Sequence, residues 1–147
     1  DEFRLIGHLG PDLLASDFDL EAAAARLAVS APISQVLLDQ TTVAGIGTFW
    51  AAESLFVHRL DPWQDADQLD AEVRLRLLGW TRRLMLASVA QGLQTSTGSR
   101  RPGEPSYVHA RAGRPCRRCG TRIEVAVTGP PTRERPIFFC PRCQQGR

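Results

Sequence analysis

A mainly helical body followed by a small β ribbon built on four cysteines is the fold class this sequence predicts. Three observations carry it. Residues 19–91 hold a succession of helix-length apolar patterns broken by Gly and Pro signals. Beyond residue 106 the pattern changes to short β-type runs, YVHARAG, TRIEVAVT and RPIFFC. All four cysteines lie in that second region, as Cys116-Arg-Arg-Cys119 and Cys140-Pro-Arg-Cys143 with twenty residues between the pairs.

The elements follow in order. Residues 1–9, DEFRLIGHL, read as the end of a strand leaving another domain, and LGPDLL as the join. Asp17 or Asp19 caps an alanine-rich helix over about 19–29, which Ser30 to Pro32 end. Pro32 suits the first turn of a second helix, PISQVLLD, with Ile33, Val36 and Leu37 at core spacing. QTTVAGIG then forms a turn. A third helix, about 48–59, stops at Asp61-Pro62, and a long amphipathic one covers about 67–91 with Gly92 as its C′ residue. Residues 94–106, QTSTGSRRPGEPS, read as a flexible linker. The domain division is therefore 1–9, 10–93, 94–106 and 107–147. Trp50, Trp63, Trp80, Phe49 and Phe56 are expected in the core. His8 and His58 are expected to be structural, and Asp39 and Glu53 to fix loop and helix ends.

Paired Cys-x-x-Cys knuckles at this spacing fit a four-thiolate shell around one tetrahedral zinc ion, at Zn–S distances of about 2.3 Å. Two disulfides in a secreted domain are the alternative, and a redox pair a further one. The first 115 residues carry no cysteine and no signal-peptide pattern opens the chain, which disfavours the first. Neither pair follows a strand and opens a helix, which disfavours the second.

Charge is unevenly spread. Residues 98–147 hold eleven arginines against three acids, a net of +8, whereas residues 1–70 hold three arginines against twelve acids, a net of −9. Lysine is absent. A cationic field on a rigid ribbon suits a polyanion, and arginine forks match phosphate. Arginine usage driven by genome composition is the competing explanation. The stretch 39–60 adds a second anion-compatible feature. Gly45 and Gly47 can take positive φ and let a ligand approach the backbone, and the helix opening near Thr48 aims its amide donors at that loop. A plain interhelical turn accounts for the same residues. No apolar run nears the roughly 20 residues of a membrane span. The chain reads as a soluble monomer of the cytoplasm, associated with the nucleoid.

LLDQTTVAGIGTFWAAESLF followed by Asp61-Pro62 resembles the helix-two-turn-helix element of the formamidopyrimidine-DNA glycosylase / endonuclease VIII family. YVHARAGRPCRRCGT followed by RPIFFCPRCQ resembles that family's C-terminal zinc finger, and HLGPDLL its inter-domain join. The resemblance implies a helix-two-turn-helix bundle with a four-cysteine zinc finger, from a protein that excises oxidised bases from double-stranded DNA and cleaves the abasic site. It implies one structural zinc on Cys116, Cys119, Cys140 and Cys143. It also implies that Arg135, five residues before the third cysteine, clamps phosphates beside the flipped lesion and occupies the position assigned to δ-elimination. Gly45, Gly47, Thr48, His109 and Arg111 stand at expected DNA contacts.

The departures are specific. Thr48 replaces the family's phosphate-bonding asparagine, and His109 a phosphate-contacting tyrosine. Ser34 stands where the formamidopyrimidine branch has a lysine, and the stretch from Leu93 to Tyr107 is too short for that branch's lesion-covering loop. Both of the latter favour the endonuclease VIII-like branch and oxidised pyrimidines. The family's N-terminal proline nucleophile and catalytic lysine have no counterpart here. Schiff-base chemistry needs such an amine, so the expectation is the DNA-holding half of an enzyme, paired with an N-terminal catalytic domain and inert as a lyase by itself. A stand-alone damaged-DNA-binding module and a zinc-ribbon adaptor for protein partners are the alternatives.

Overall fold

The computed structural model describes residues 9–145. The strand remnant read at the start of the chain, with His8, lies outside them, as does Arg147. Helix α1 (Leu20–Arg26) starts at Asp19, whose side chain accepts from the Ala22 amide at 3.1 Å. It ends three residues short of the expected 29, because after Leu27 the amides of Ala28, Val29 and Ala31 turn onto nearby carbonyls. Helix α2 (Ile33–Leu38) is preceded by Pro32 at extended ψ, so the proline is the N-cap rather than a member of the first turn. The Ile33 and Ser34 amides are satisfied instead by the Gln64 and Pro62 carbonyls at 2.8 and 2.9 Å.

Helix α3 (Thr48–Val57) is the centre of the molecule. Every residue from Trp50 to Phe56 is buried, so it is apolar on all sides but for Glu53 and Ser54. A 3₁₀ turn (Ala66–Gln68) precedes α4 (Ala71–Gln91), which begins four residues later than expected because its predicted first turn is this separate turn. Gly92 ends α4 at φ +69, where a side chain would be strained. Leu77, Leu78 and Met85 of α4 join Leu37, Trp50, Leu55 and Phe56 in one core.

The ribbon has two strands rather than three segments: β1 (Glu124–Thr128) and β2 (Arg135–Phe139), antiparallel, with Glu124 opposite Phe139 and Thr128 opposite Arg135. Ile137 of β2 is fully buried and packs the hairpin on α3. Residues 107–113 form turns because the amides of Tyr107, Val108 and His109 bond to the Glu53 carboxylate, leaving no ladder to join. The stretch 94–106 is not a free linker either. Thr95 and Ser96 are buried, the Ser96 amide bonds Pro105 O at 2.8 Å, and Thr97 Oγ1 donates to Glu104 O at 2.6 Å. Of the expected core aromatics, Trp63 is 37% exposed and rests edge-on against Phe139.

Candidate nucleic-acid interface and metal centre

The turn joining α2 to α3 is held by its own side chains. Asp39 Oδ1 accepts from the Thr41 amide (3.0 Å) and hydroxyl (2.6 Å). Gln40 spans the loop: its Nε2 donates to Ile46 O at 3.0 Å and its Oε1 accepts from Gly45 N at 2.8 Å. Arg26 reaches from α1 to donate to the Thr41 and Thr42 carbonyls at 3.0 and 2.9 Å. Gly10 packs so close that a Cβ there would stand 2.5 Å from Thr42 O.

The two glycines of this turn do different work. Gly45 has φ +113, as expected. Gly47 has φ −98 and extended ψ, so no left-handed backbone is needed; a Cβ added there would meet nothing within 4 Å. Its contribution is open space in front of the α3 N-terminus. Gly47 is also the N-cap and has no side chain to offer, while Thr48 is the first helical residue and not the cap. The leading amides of α3 therefore have no side-chain acceptor, and the positive end of the helix faces that space.

His109 sits beside the same helix end. Its ring lies 5.2 Å from the ring of Phe49 and 5.2 Å from that of Phe138 on β2. Its Nδ1 is buried without a partner, and burial holds the imidazole below its ordinary pKa, against an opposing pull from Glu53. An orphaned lone pair costs less than an orphaned N–H, so Nδ1 is the bare nitrogen and Nε2 carries the proton as a neutral donor.

Glu53, fully buried on α3, sets this arrangement. One oxygen accepts from the Ser96 hydroxyl and from Tyr107 N (2.5 Å), the other from Val108 N and His109 N (both 2.9 Å). It fixes the entry of the ribbon rather than a helix end. Arg111 is turned inward, donating to Tyr107 O at 2.6 Å and Pro115 O at 3.0 Å, so its guanidinium closes the turn that follows His109. Arg117 and Arg118 are likewise committed. Arg117 donates to Ser106 O and Gly103 O. Arg118 donates to Phe56 O at the C-terminal end of α3 and stacks 3.8 Å over the Phe56 ring.

Arg135 is exposed at the start of β2. It lines a cleft of about 480 Å³ with Arg133 on the hairpin side and Gln35, Asp39 and Thr41 on the turn side. A buried hydroxyl pair, Ser34 Oγ to Thr128 Oγ1 at 2.7 Å, joins α2 to the residue opposite Arg135. Ser34 thus points into the hairpin.

The four cysteine sulfurs lie within 4.8 Å of one another, with Cys116–Cys143 at 3.8 Å and Cys119–Cys140 at 3.5 Å. A tetrahedron of metal–sulfur bonds of about 2.3 Å has edges of about 3.8 Å, so these four atoms make a closed metal shell. Amides support it: Arg118 N points at Cys116 Sγ (3.4 Å) and Cys143 N at Cys140 Sγ (3.3 Å). Hydrogen bonds from Thr121 bring the Cys119 thiol down to about 6, while burial pushes Cys140 up to about 12. Gln144 ties the knuckle to the body, accepting from Cys140 N at 2.8 Å and donating to Leu60 O at 3.0 Å.

Residues 9–99, the helical body with its turn, match the formamidopyrimidine-DNA glycosylase H2TH domain. The chain belongs to this family. Within the Fpg/Nei group it is similar to a probable endonuclease 8 2 of Streptomyces coelicolor, 40% identical over 99% of this chain and 53% of the relative. It is 37% identical to the DNA-(apurinic or apyrimidinic site) lyase Nei2 of Mycolicibacterium smegmatis, over 95% of this chain and 54% of that protein. Its fold is that of the MutM (Fpg) protein of Thermus thermophilus, with a TM-score of 0.78, 31% identity, and coverage of 99% of this chain and 57% of that one. A similar match, TM-score 0.77 at 27% identity over 98% of this chain and 54% of that one, is Lactococcus lactis Fpg in complex with DNA containing FAPY-dG. The chain spans about half the length of the curated relatives it matches.

Sequence reading of this Fpg/Nei chain singled out the cysteines, the glycine turn, His109 and Arg135. It missed Gln40, Gln144 and the Ser34–Thr128 pair. Gln40 was detectable as a long amide beside Asp39 in a turn of small residues. Thr128 and the Leu60 bond of Gln144 offered no local signal, since those partners lie 94 and 84 residues away.

Proposed function

We propose that this chain is the DNA-gripping half of a bifunctional base-excision-repair glycosylase and abasic-site lyase of the endonuclease VIII-like branch. One phosphate sits in the space before Gly47, on the leading amides of α3 and the Thr48 hydroxyl. His109 Nε2 donates to a neighbouring phosphate, with Arg111 holding its turn from behind. Arg135 clamps phosphates beside the lesion across the cleft. Arginine keeps its proton under all working conditions, so its contribution is electrostatic stabilisation of phosphate.

The observation that carries the reading is the shared cleft. The H2TH turn and the hairpin are separate in sequence, yet Ser34–Thr128 ties α2 to the hairpin and Glu53 ties α3 to the entry of the ribbon, so that both line one cleft. Support comes also from the names of the relatives, endonuclease 8 and abasic-site lyase, and from the DNA-bound Lactococcus Fpg neighbours. Their double length supports a further domain as the source of the catalytic amine, since this chain has no lysine.

Zinc is the ion that suits the closed four-sulfur shell. Cys116, Cys119, Cys140 and Cys143 would hold it. With no open coordination position it would supply structure and not Lewis acidity. Excision of oxidised pyrimidines, a cytoplasmic nucleoid location and a monomeric state complete the proposal. Among the described residues no helix is long and apolar enough to cross a membrane.

The decisive experiment is fluorescence anisotropy on a duplex with a central abasic site, across a salt series. Binding is expected to weaken with salt, and Arg135→Ala to lower the log–log salt slope by about one while leaving the fold intact. Salt-independent binding, or an Arg135→Ala variant with unchanged affinity and slope, overturns the reading. Borohydride trapping should give no covalent adduct with this chain alone.

A further inference from the structure

Helix α4 carries four arginines, and the structure uses them in two ways. Arg74 donates to Ala66 O and Leu69 O, and Arg82 to Leu13 O (2.8 Å) and Ala15 O (3.0 Å). Both are struts that tie loops to the helix. Arg76 and Arg83, seven residues apart and so on one face, are exposed and line a cleft of about 540 Å³ with His58 and Trp80. Leu20 and Leu75 supply its apolar walls.

The polar groups of this cleft are complementary to one kind of ligand. Burial, with smaller pushes from the Arg76 and Arg83 guanidinium groups, holds the His58 pKa below its ordinary value, against the hydrogen bond to Ser54, which raises it. His58 Nδ1 bonds to the Ser54 carbonyl at 2.8 Å and must be the protonated nitrogen, because a carbonyl only accepts. Nε2 is then a bare acceptor. The cleft therefore combines two anion-binding forks, one acceptor, and an apolar slot edged by the Trp80 ring, which meets the His58 ring at 5.8 Å. A phosphodiester backbone has no donor for Nε2. A peptide has one in every amide.

Position separates this cleft from the proposed DNA surface. His58 caps the C-terminal end of α3, whereas Thr48 opens it; ten residues at about 1.5 Å each put the two about 15 Å apart.

We propose that this cleft docks a short acidic peptide segment of a partner protein. Its carboxylates sit on Arg76 and Arg83, a backbone N–H donates to His58 Nε2, and an apolar side chain lies against Leu20, Leu75 and Trp80. Such an assignment gives the opposite end of α3 a protein-binding role alongside DNA binding.

The test uses a fluorescein-labelled peptide with two aspartates flanking a phenylalanine, titrated with the whole chain by anisotropy. Binding with Kd of about 100 µM or tighter is expected. Arg76→Glu/Arg83→Glu should weaken it at least about tenfold, with circular dichroism and abasic-duplex affinity unchanged. Arg101→Glu/Arg122→Glu, an equal charge change elsewhere, should leave it within about twofold, and excess duplex should not displace the peptide. Absence of binding at about 1 mM, equal losses in the two double variants, or displacement by duplex overturns the proposal; displacement would make the cleft part of the nucleic-acid surface.

Discussion

Replacing Glu53 should uncouple the ribbon from the helical body, and the size of the effect can be worked out donor by donor. Four donors converge on its two oxygens. In Glu53→Ala the Ser96 hydroxyl turns to Pro105 O, already 3.2 Å away, but three amides lose their acceptor, that of the fully buried Val108 and those of the half-buried Tyr107 and His109. Each orphaned buried donor costs about 1–3 kcal/mol, so the low end for three is about 3 kcal/mol, a large fraction of a typical domain's stability. Glu53→Gln keeps one acceptor oxygen for Val108 and His109. Its NH₂ group then meets the Ser96 hydroxyl, which can accept, and only the Tyr107 amide is orphaned. The expected cost is about 1–2 kcal/mol. Guanidinium denaturation with metal held in excess measures both, and hydrogen exchange should show faster exchange at residues 107–109 than in α4. A Glu53→Ala variant within about 0.5 kcal/mol of the parent would refute the reasoning. So would equal losses for Ala and Gln, since counting unpaired donors demands about a threefold difference.

Four further outcomes are expected. Gly10→Ala should cost about 2–3 kcal/mol in the denaturation midpoint, because the new Cβ meets the Thr42 and Thr41 carbonyls at 2.5 and 2.8 Å, and these are backbone. Gly47→Ala should cost under about 1 kcal/mol, since the Cβ enters open space, yet weaken duplex binding by filling the proposed phosphate seat. His109 and His58 both have folded pKa values below the reference 6.5, so the unfolded chain takes up protons first. Stability is therefore complete above pH 6.5 and declines as pH falls below it; His109→Phe should make that decline shallower in midpoints measured from pH 7 to 5. Chelation should speed amide exchange in β1 and β2 while α4 stays protected, because the hairpin depends on the four-sulfur shell as well as on Ile137, whereas α4 depends on the helical core alone. Unchanged exchange in the strands would show that the hairpin stands without metal.

Much of the candidate site was legible along the chain because it depends on near neighbours. Two Cys-x-x-Cys pairs are a local spacing, and four sulfurs do converge. Gly45 sits where a turn needs positive φ, Asp19 caps α1, and Gly92 ends α4. The misreadings concern groups whose partners are distant. YVHARAG has the composition of a strand, yet Glu53, more than fifty residues away, takes the very amides a strand would use. The 94–106 stretch has the composition of a linker, yet buried hydroxyls tie it down.

By itself, then, the sequence determined the helical body, the four-thiol metal shell, and the family's helix-two-turn-helix and ribbon elements, all encoded in periodicity and short spacings. Only the tertiary structure decided what each arginine and carboxylate does. A guanidinium serves equally as a phosphate clamp, a carbonyl strut or an aromatic cap, and its composition is the same in each. Arg135 faces a cleft, Arg111 and Arg118 face carbonyls, and Arg76 and Arg83 face a second cleft. The difference lies in which acceptor the fold brings within about 3 Å, and that distance is set by packing between residues far apart in the chain.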